Sequence, residues 1–243
     1  MTVLGVIPAR LASTRLPRKV LREIAGAPLV VHVFRSARRS PHLSDLLVAT
    51  DSEEVLAACR TNQIPAVMTS PDHPSGTDRL WEVSRGRAAD VYVNIQGDEP
   101  LVTPGQIERL VTPFLPDPAV QVTTLKIRAT AEEAASPTVT KVVTNVHGDA
   151  LYFSKLPVPF DRDRRGDILY WKHPGFYAYR RAALEAFHAL PASRLERAEQ
   201  LEQLRFLENG IPIRVVETDE PTIGVDTEED LRAVEALLVS RGR

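Results

Sequence analysis

The sequence predicts an α/β fold: a mixed, mainly parallel sheet covered by helices, in one domain with a β-rich excursion in its second half. Three observations carry this. Up to about residue 115, short apolar runs alternate with segments of helical periodicity. The runs are β-branched and nearly continuous, the pattern of parallel strands buried on both faces. After Pro118 the rhythm changes to several β-rich segments before a strand and a helix close the chain.

In order, "TVLGVIP" is a first strand and "PLVVHVFRSARRS" a first helix. "LSDLLVAT" is a second strand. "SEEVLAACRTN" follows as a helix, with Asp51 and Glu54 at capping-box spacing. "PAVMTS" and "GTDRLWEVSRGR" form the third strand–helix pair, "DVYVNIQ" and "PGQIERLVTPFL" the fourth, with Pro104 near the helix start. "VQVTTLKIR", "TKVVTNV" and "ALYFSKL" are strands, the last two joined by the turn "NVHGDA". "ILYWKHPGFYAYRR" is extended. "SRLERAEQLEQLRFLENG" predicts one helix with Leu195, Ala198, Leu201, Leu204 and Leu207 as its apolar stripe, ended by Asn209 and Gly210. "IRVVET" and "TEEDLRAVEALLVS" are the final strand and helix. The single domain divides into a nucleotide-binding half (about 1–118), a β-rich region (about 119–215) and a return to the core (216–243).

Composition narrows the function. A net charge of −2 excludes a chain that binds nucleic acid through its overall charge, so any phosphate site is local. No apolar run reaches the ~18 residues of a membrane helix, and no signal peptide opens the chain, so the cytoplasm is expected. The single cysteine, Cys59, excludes an internal disulfide and sits in a helical pattern as a small core residue.

In open α/β sheets ligands gather at the carboxyl ends of strands. The first strand runs into "VIPARLASTRLPRK", where Arg10, Arg15 and Lys19, with the hydroxyls of Ser13 and Thr14, make either a phosphate loop or a solvated basic patch. Neither GxxxxGK[ST] nor GxGxxG is present, which disfavours a Walker loop and a dinucleotide fingerprint. The fourth strand ends in "NIQGDEP", clustering Gln96, Asp98 and Glu99 around Gly97. A carboxylate here facing a phosphate loop suits Mg²⁺, which takes one or two carboxylates and fills its octahedron with water and phosphate oxygens. "IGVDTEEDL" places Asp226 at the end of a strand. Thr227 and Asp230 have capping-box spacing, and acids there also serve the helix dipole with no chemistry. Glu199, Glu202 and Gln203 read as one helix face, with Glu202 able to pair with Arg205. "YFSKLPVPFDRDRRG" and "KHPGFYAYR" add Arg162, Arg164 and His173.

Taken together, "IPARLASTRLPRK", "VATDSEEV", "DHPSGTDRL", "VNIQGDEP", "TKVV", "ALYFSKLPVPFDRDR", "KHPGFYAYR", "LEQLRFLENG" and "GVDTEEDL" resemble the 3-deoxy-manno-octulosonate (Kdo) cytidylyltransferases, over essentially the whole chain and in order. The resemblance implies a Rossmann-like nucleotidyltransferase fold that converts CTP and Kdo to CMP-Kdo and pyrophosphate, as a homodimer joined through the β-rich half. It implies that Arg10, Ser13, Arg15 and Lys19 hold the CTP phosphates and that Ser75 and Gly76 lie near the cytosine with Arg79 as a neighbour. Asp98 and Asp226 would bind Mg²⁺. Gln96, Arg164, His173, Glu202 and Gln203 would handle the sugar acid. Lys19, Asp98 and Asp226 would act in catalysis, with a second ion on the pyrophosphate side as an open option. This chain departs from the usual pattern at Arg18, where relatives carry Gly, and at Pro174, where an aliphatic residue is usual. The alternatives are a cytidylyltransferase for another acidic sugar, such as 8-amino-Kdo or a sialic-like acid, a non-catalytic nucleotide-binding module, and a glycosyltransferase.

Overall fold

The computed structural model describes residues 1–11, 16–163 and 165–241. The chain forms two compact units, residues 1–108 with 222–243, and residues 109–221. The second is thus a single insertion in the first. Its limits lie somewhat outside the region expected at about 119–215.

The first unit is built on four parallel strands, β1 (Val3–Pro8), β4 (Asp45–Thr50), β5 (Ala66–Met68) and β6 (Val91–Asn94), in the order β5-β4-β1-β6. A two-stranded hairpin, β2 (Glu23–Ile24) and β3 (Ala27–Pro28), stands apart. Val6, Ile7, Val48, Ala49, Tyr92 and Val93 are buried, as expected of strands with both faces covered. Helix α1 (Leu29–Ala37) turns Leu29, Val30, Val33 and Ala37 inward. Helix α2 (Glu53–Thr61) starts one residue later than its capping pattern suggested. Ser52 is the N-cap and accepts from the Val55 amide at 3.4 Å, while Asp51 is drawn to Arg79. Ser75 caps α3 (Gly76–Gly86) in the same way, at 3.1 Å from the Asp78 amide. Helix α4 (Pro104–Val111) begins at Pro104, where a missing amide costs nothing.

The chain returns to this unit at residue 222. Asp226 lies in an extended segment outside any strand, contrary to its expected place at a strand end. The segment is held by one backbone bond, from the Val225 amide to the Asp98 carbonyl at 2.9 Å, and by apolar side chains. Val225, Leu231 and Val234 pack with Leu16, Ile24, Leu29 and Leu101 in one buried cluster, each fully buried Leu or Val contributing about 1.5–3 kcal/mol. Thr227 and Asp230 cap α9 (Glu228–Arg241) as their spacing predicted, Asp230 accepting from the Thr227 amide at 2.9 Å.

The second unit centres on β7 (Val122–Arg128). Strand β12 (Ile213–Glu217) pairs with it in parallel, and β10 (Trp171–Lys172) and β11 (Tyr177–Arg180) pair with it antiparallel. Beyond β10 come β8 (Lys141–Thr144) and β9 (Ala150–Ser154), antiparallel across the expected turn. The sheet here is therefore mixed. Residues 173–176 stand opposite only residues 125 and 126, so the strand bulges outward at His173–Pro174–Gly175–Phe176. Pro174 has no amide to give the ladder, and Gly175 adopts φ +75°. Helices α5 (Ala131–Ala135) and α6 (Arg181–Ala189) were not anticipated.

The expected long helix over residues 193–209 is broken into α7 (Arg194–Glu199) and α8 (Leu204–Glu208), with Gln200 left-handed at φ 55° between them. Tertiary contacts win over periodicity. Glu199 accepts from the Ser154 hydroxyl at 2.7 Å and the Lys155 amide at 2.9 Å. Arg205 pairs with Glu196, at 2.6 and 2.8 Å, and covers the Phe187 ring. Ala198 is consequently exposed, and the five-residue apolar stripe does not exist as a face.

Candidate active site

The strand order β5-β4-β1-β6 makes a topological switch point between β1 and β6, where the chain leaves the sheet toward opposite sides. The carboxyl ends there are Pro8 and Asn94. The two departing loops touch: a Cβ on Gly97 would lie 2.7 Å from the Pro8 carbonyl oxygen, so glycine is required for the "QGD" turn to close over β1. Gln96 donates from its side-chain amide to Asn94 Oδ1 at 3.0 Å, and Asn94 is fully buried.

Asp98 follows this turn. Its carbonyl accepts from the Val225 amide at 2.9 Å, and this bond with the apolar cluster under it sets Asp226 beside Asp98. Lys19 completes the group. Its Nζ donates to Asp98 Oδ2 at 2.6 Å and to Asp226 Oδ1 at 2.9 Å. Burial pulls the ammonium pKa down, but the two carboxylates outweigh it and leave Lys19 above its usual value. Lys19 was expected on phosphate. Here it bridges the two residues expected to hold a metal, its side chain 12% exposed against 42% for Asp226.

Glu99 is buried against the same group. Burial, with Asp98 and then Asp226 nearby, raises its carboxyl well above the usual range, partly offset by Lys19. A Cβ on Gly224 would come within 2.9 Å of Glu99 Oε1, so this glycine makes room for the carboxyl. Arg18, immediately before Lys19, is left-handed at φ 57°, a conformation glycine adopts without strain. Its guanidinium is paired with Glu54.

The remaining expected residues fall into three groups. Arg10 is exposed just past β1, and Ser75 and Gly76 open α3 within reach of the same edge, a Cβ on Gly76 lying 3.5 Å from both Asn94 Nδ2 and Pro8 Cγ. Arg79 is spent inside the protein, on Asp51 at 2.8 Å and on the Thr69 hydroxyl, and is 3% exposed. Ser13, Arg15 and Arg164 lie outside the described residues.

His173, Glu202 and Gln203 belong to the second unit. The bulge carries His173 onto Thr124, whose hydroxyl is 2.9 Å from His173 Nε2. The imidazole packs edge-on to Phe153 and beside Tyr177, with ring centroids 5.0 and 5.1 Å away. The residue as a whole is half-buried. Burial, and then the Lys155 ammonium, push its pKa down to about 3. Tyr177 is the residue sequence reasoning missed. Among the described residues its buried hydroxyl has no hydrogen-bond partner, and burial, Tyr179 and then Glu202 raise its pKa well above the usual value. Gln203 is likewise buried with Nε2 unpartnered. In "GFYAYR" Tyr177 reads as one more core aromatic, and only the orphaned hydroxyl singles it out.

Two carboxylates converging on one ammonium are a donor set for a hard divalent cation, with the lysine as the cation now held. Among the described residues no group of three or more His, Cys, Asp or Glu is placed to hold a metal, so a cation here would take these two carboxylates and draw its other ligands from water or substrate.

The cytidylyltransferase family profile matches residues 4–217. A 3-deoxy-manno-octulosonate cytidylyltransferase of Acidobacterium capsulatum is 57% identical over 241 residues, covering 99% of this chain and 98% of that one. One from Koribacter versatilis is 55% identical over 98% and 90%. A solved structure of CMP:2-keto-3-deoxy-manno-octonic acid synthetase, complexed with CTP, is 44% identical and superposes with a TM-score of 0.95, covering 99% of this chain and all of that one. A cytidylyltransferase from Leptospira borgpetersenii, at 14% identity and a TM-score of 0.65, shares the fold. The chain belongs to the 3-deoxy-manno-octulosonate cytidylyltransferase family.

Proposed function

We propose that this protein transfers a cytidylyl group from CTP to the anomeric hydroxyl of Kdo, giving CMP-Kdo and pyrophosphate. The observation that carries the reading is the convergence of Asp98 and Asp226 on a single cation beside the switch point. The bond from the anomeric oxygen to the α-phosphorus forms as the bond to the β-phosphate bridging oxygen breaks. The hydroxyl proton passes to solvent, and the electron pair leaves with pyrophosphate. Mg²⁺ held by Asp98 and Asp226 would supply positive charge to the triphosphate and acidify an oxygen bound to it. Arg10 and Lys19 offset charge on the phosphoryl oxygens, with Lys19 turning from the aspartates to the phosphates. His173, with a pKa near 3, is neutral at working pH and a poor base, so it orients the sugar through hydrogen bonds. Gln203 Nε2 and the Tyr177 hydroxyl, which have no hydrogen-bond partner among the described residues, are offered to the sugar hydroxyls and carboxylate.

The reading includes a homodimer through the β-rich unit, supported by the exposed Val146, Leu151, Leu156, Leu169 and Phe160, the last 80% exposed. Pyrophosphate release from CTP, measured with Kdo, 8-amino-Kdo and a sialic acid, with and without Mg²⁺, tests the function. Release only with Kdo and Mg²⁺ is expected, and none with any sugar overturns it. Light scattering tests the dimer, and Phe160→Asp is expected to yield monomer.

A further inference from the structure

Arg79 is buried in a chain of hydrogen bonds that ends next to the phosphate loop. Its guanidinium donates to Asp51 Oδ2 at 2.8 Å and to the hydroxyl of Thr69. The Thr69 hydroxyl donates onward to the Thr50 carbonyl at 3.0 Å, and the Thr69 amide reaches the same oxygen at 2.8 Å. The Thr50 hydroxyl donates to the Ala9 carbonyl at 2.6 Å and accepts from the Ser52 amide at 3.2 Å. Thr50, Thr69 and Arg79 are all buried. The chain of contacts thus joins the first turn of α3 to the ends of β5, β4 and β1.

Ala9 is the last residue before Arg10, and its amide is bonded to the Ala49 carbonyl at 2.9 Å. With the Thr50 hydroxyl on its carbonyl, both polar groups of Ala9 are fixed. The direction in which Arg10 leaves the sheet is then set by a side chain outside the strand ladder. We infer that Thr50, Thr69 and Arg79 are positioning residues, a brace that holds the start of the phosphate loop in register with Ser75 and Gly76 at the opening of α3. The inference rests on the reading of this edge as the CTP site. Arg79 then acts on the nucleotide through Ala9 and touches no part of it. Asp51 compensates a charge that is otherwise buried alone.

Thr50→Val keeps the side-chain shape and removes the hydroxyl, leaving the Ala9 carbonyl without its donor. Thr50→Ser restores the donor. The measurements are CTP affinity by calorimetry with Mg²⁺ and without sugar, the KM values for CTP and Kdo, and the melting temperature. Thr50→Val is expected to weaken CTP binding and raise CTP KM roughly five- to tenfold, with Kdo KM unchanged. Thr50→Ser is expected to recover the parent values. Arg79→Lys, which cannot span Asp51 and Thr69 together, is expected to shift CTP KM in the same direction. A purely structural role lowers the melting temperature and leaves the CTP affinity of the folded protein intact, and that result overturns the brace alone. A parent protein that binds no CTP overturns the reading of the site and the brace with it.

Discussion

The two units gather different groups at their candidate sites. In the first, an ammonium and two carboxylates bridge one another, Lys19 with Asp98 and Asp226, and the Arg79 guanidinium meets Asp51. In the second, the groups are neutral: Tyr177 and Gln203 bury a hydroxyl and an amide with no hydrogen-bond partner among the described residues. An unmet buried donor costs about 1–3 kcal/mol. The first unit carries unpartnered buried atoms too, on Asn94 and Glu99, so the difference lies in charge and not in satisfaction. A metal and nucleotide bound as proposed would exchange partners with the paired charges, and a polyhydroxylated acid would meet neutral donors.

The sharpest way to break this comparison is to remove the charge that the first unit exchanges. Asp98→Asn and Asp226→Asn each leave the fold intact and are expected to lower kcat by at least roughly 10²–10³-fold, the scale for losing a group that fixes transition-state charge. Single-turnover pyrophosphate release at saturating Mg²⁺ measures this. Near-parental rates in either variant remove that residue from the metal site.

Lys19→Met tests the exchange itself. Turnover is expected to fall roughly 10–100-fold with a raised CTP KM, since one compact charge opposite the phosphates is lost. The pH dependence of stability has a definite sign. The folded pKa of Lys19 is raised above its unfolded value. Its contribution is therefore fully present below the unfolded pKa of about 10.4 and is lost as pH rises through the folded one. Without ligands, the melting-temperature gap between parent and Lys19→Met is expected to be flat from neutral pH to about 9 and to narrow above 10.5. A gap that widens at high pH contradicts the bridge.

The second unit gives the opposite signature. Tyr177→Phe removes a hydroxyl that has no hydrogen-bond partner among the described residues, so the ligand-free protein is expected to gain about 1 kcal/mol, or some 2–4 °C in melting temperature. Kdo KM is expected to rise roughly tenfold in the same variant. A loss of stability with unchanged Kdo KM makes Tyr177 an ordinary core residue and ends the contrast between the units.

The units also differed in how far they could be read in advance. Strands β1, β4 and β6 and their helices were legible because a parallel strand covered on both faces writes its burial into consecutive residues; β5, half-buried to exposed, was legible from its place in the strand–helix alternation. Asp98 and Lys19 were legible as candidates from residue type and position. Their contact was not, since Lys19 lies 79 residues from Asp98 and 207 from Asp226, and no local pattern encodes such a pairing. Asp51 was misjudged as a cap for the same reason, its partner Arg79 being 28 residues away. In the second unit the leucines at 195, 201, 204 and 207 obeyed a helical period. The structure spends Glu199 and Arg205 on other elements and breaks the helix to do it. Periodicity reports an apolar face faithfully only where polar side chains are left to solvent.

The smallest expected effect bears on that break. Each unit holds a non-glycine residue in the left-handed region next to its site: Arg18 at φ 57° and Gln200 at φ 55°. Glycine at such a position relieves roughly 1 kcal/mol of steric cost and gives part of it back as unfolded-state entropy. Gln200→Gly also gives up one exposed bond, from its side chain to the Arg197 carbonyl. A net gain of about 0.5 kcal/mol is expected, with kcat and both KM values unchanged, because the contacts of Glu199 and Arg205 hold the break without help from residue 200. Arg18→Gly gives up the exposed pair with Glu54, an interaction of the kind worth between zero and 1 kcal/mol, so its net stability change is expected near zero. Denaturant titration of the two variants side by side resolves the difference. If Gln200→Gly loses stability, the turn depends on glutamine itself, and the broken helix was encoded locally after all.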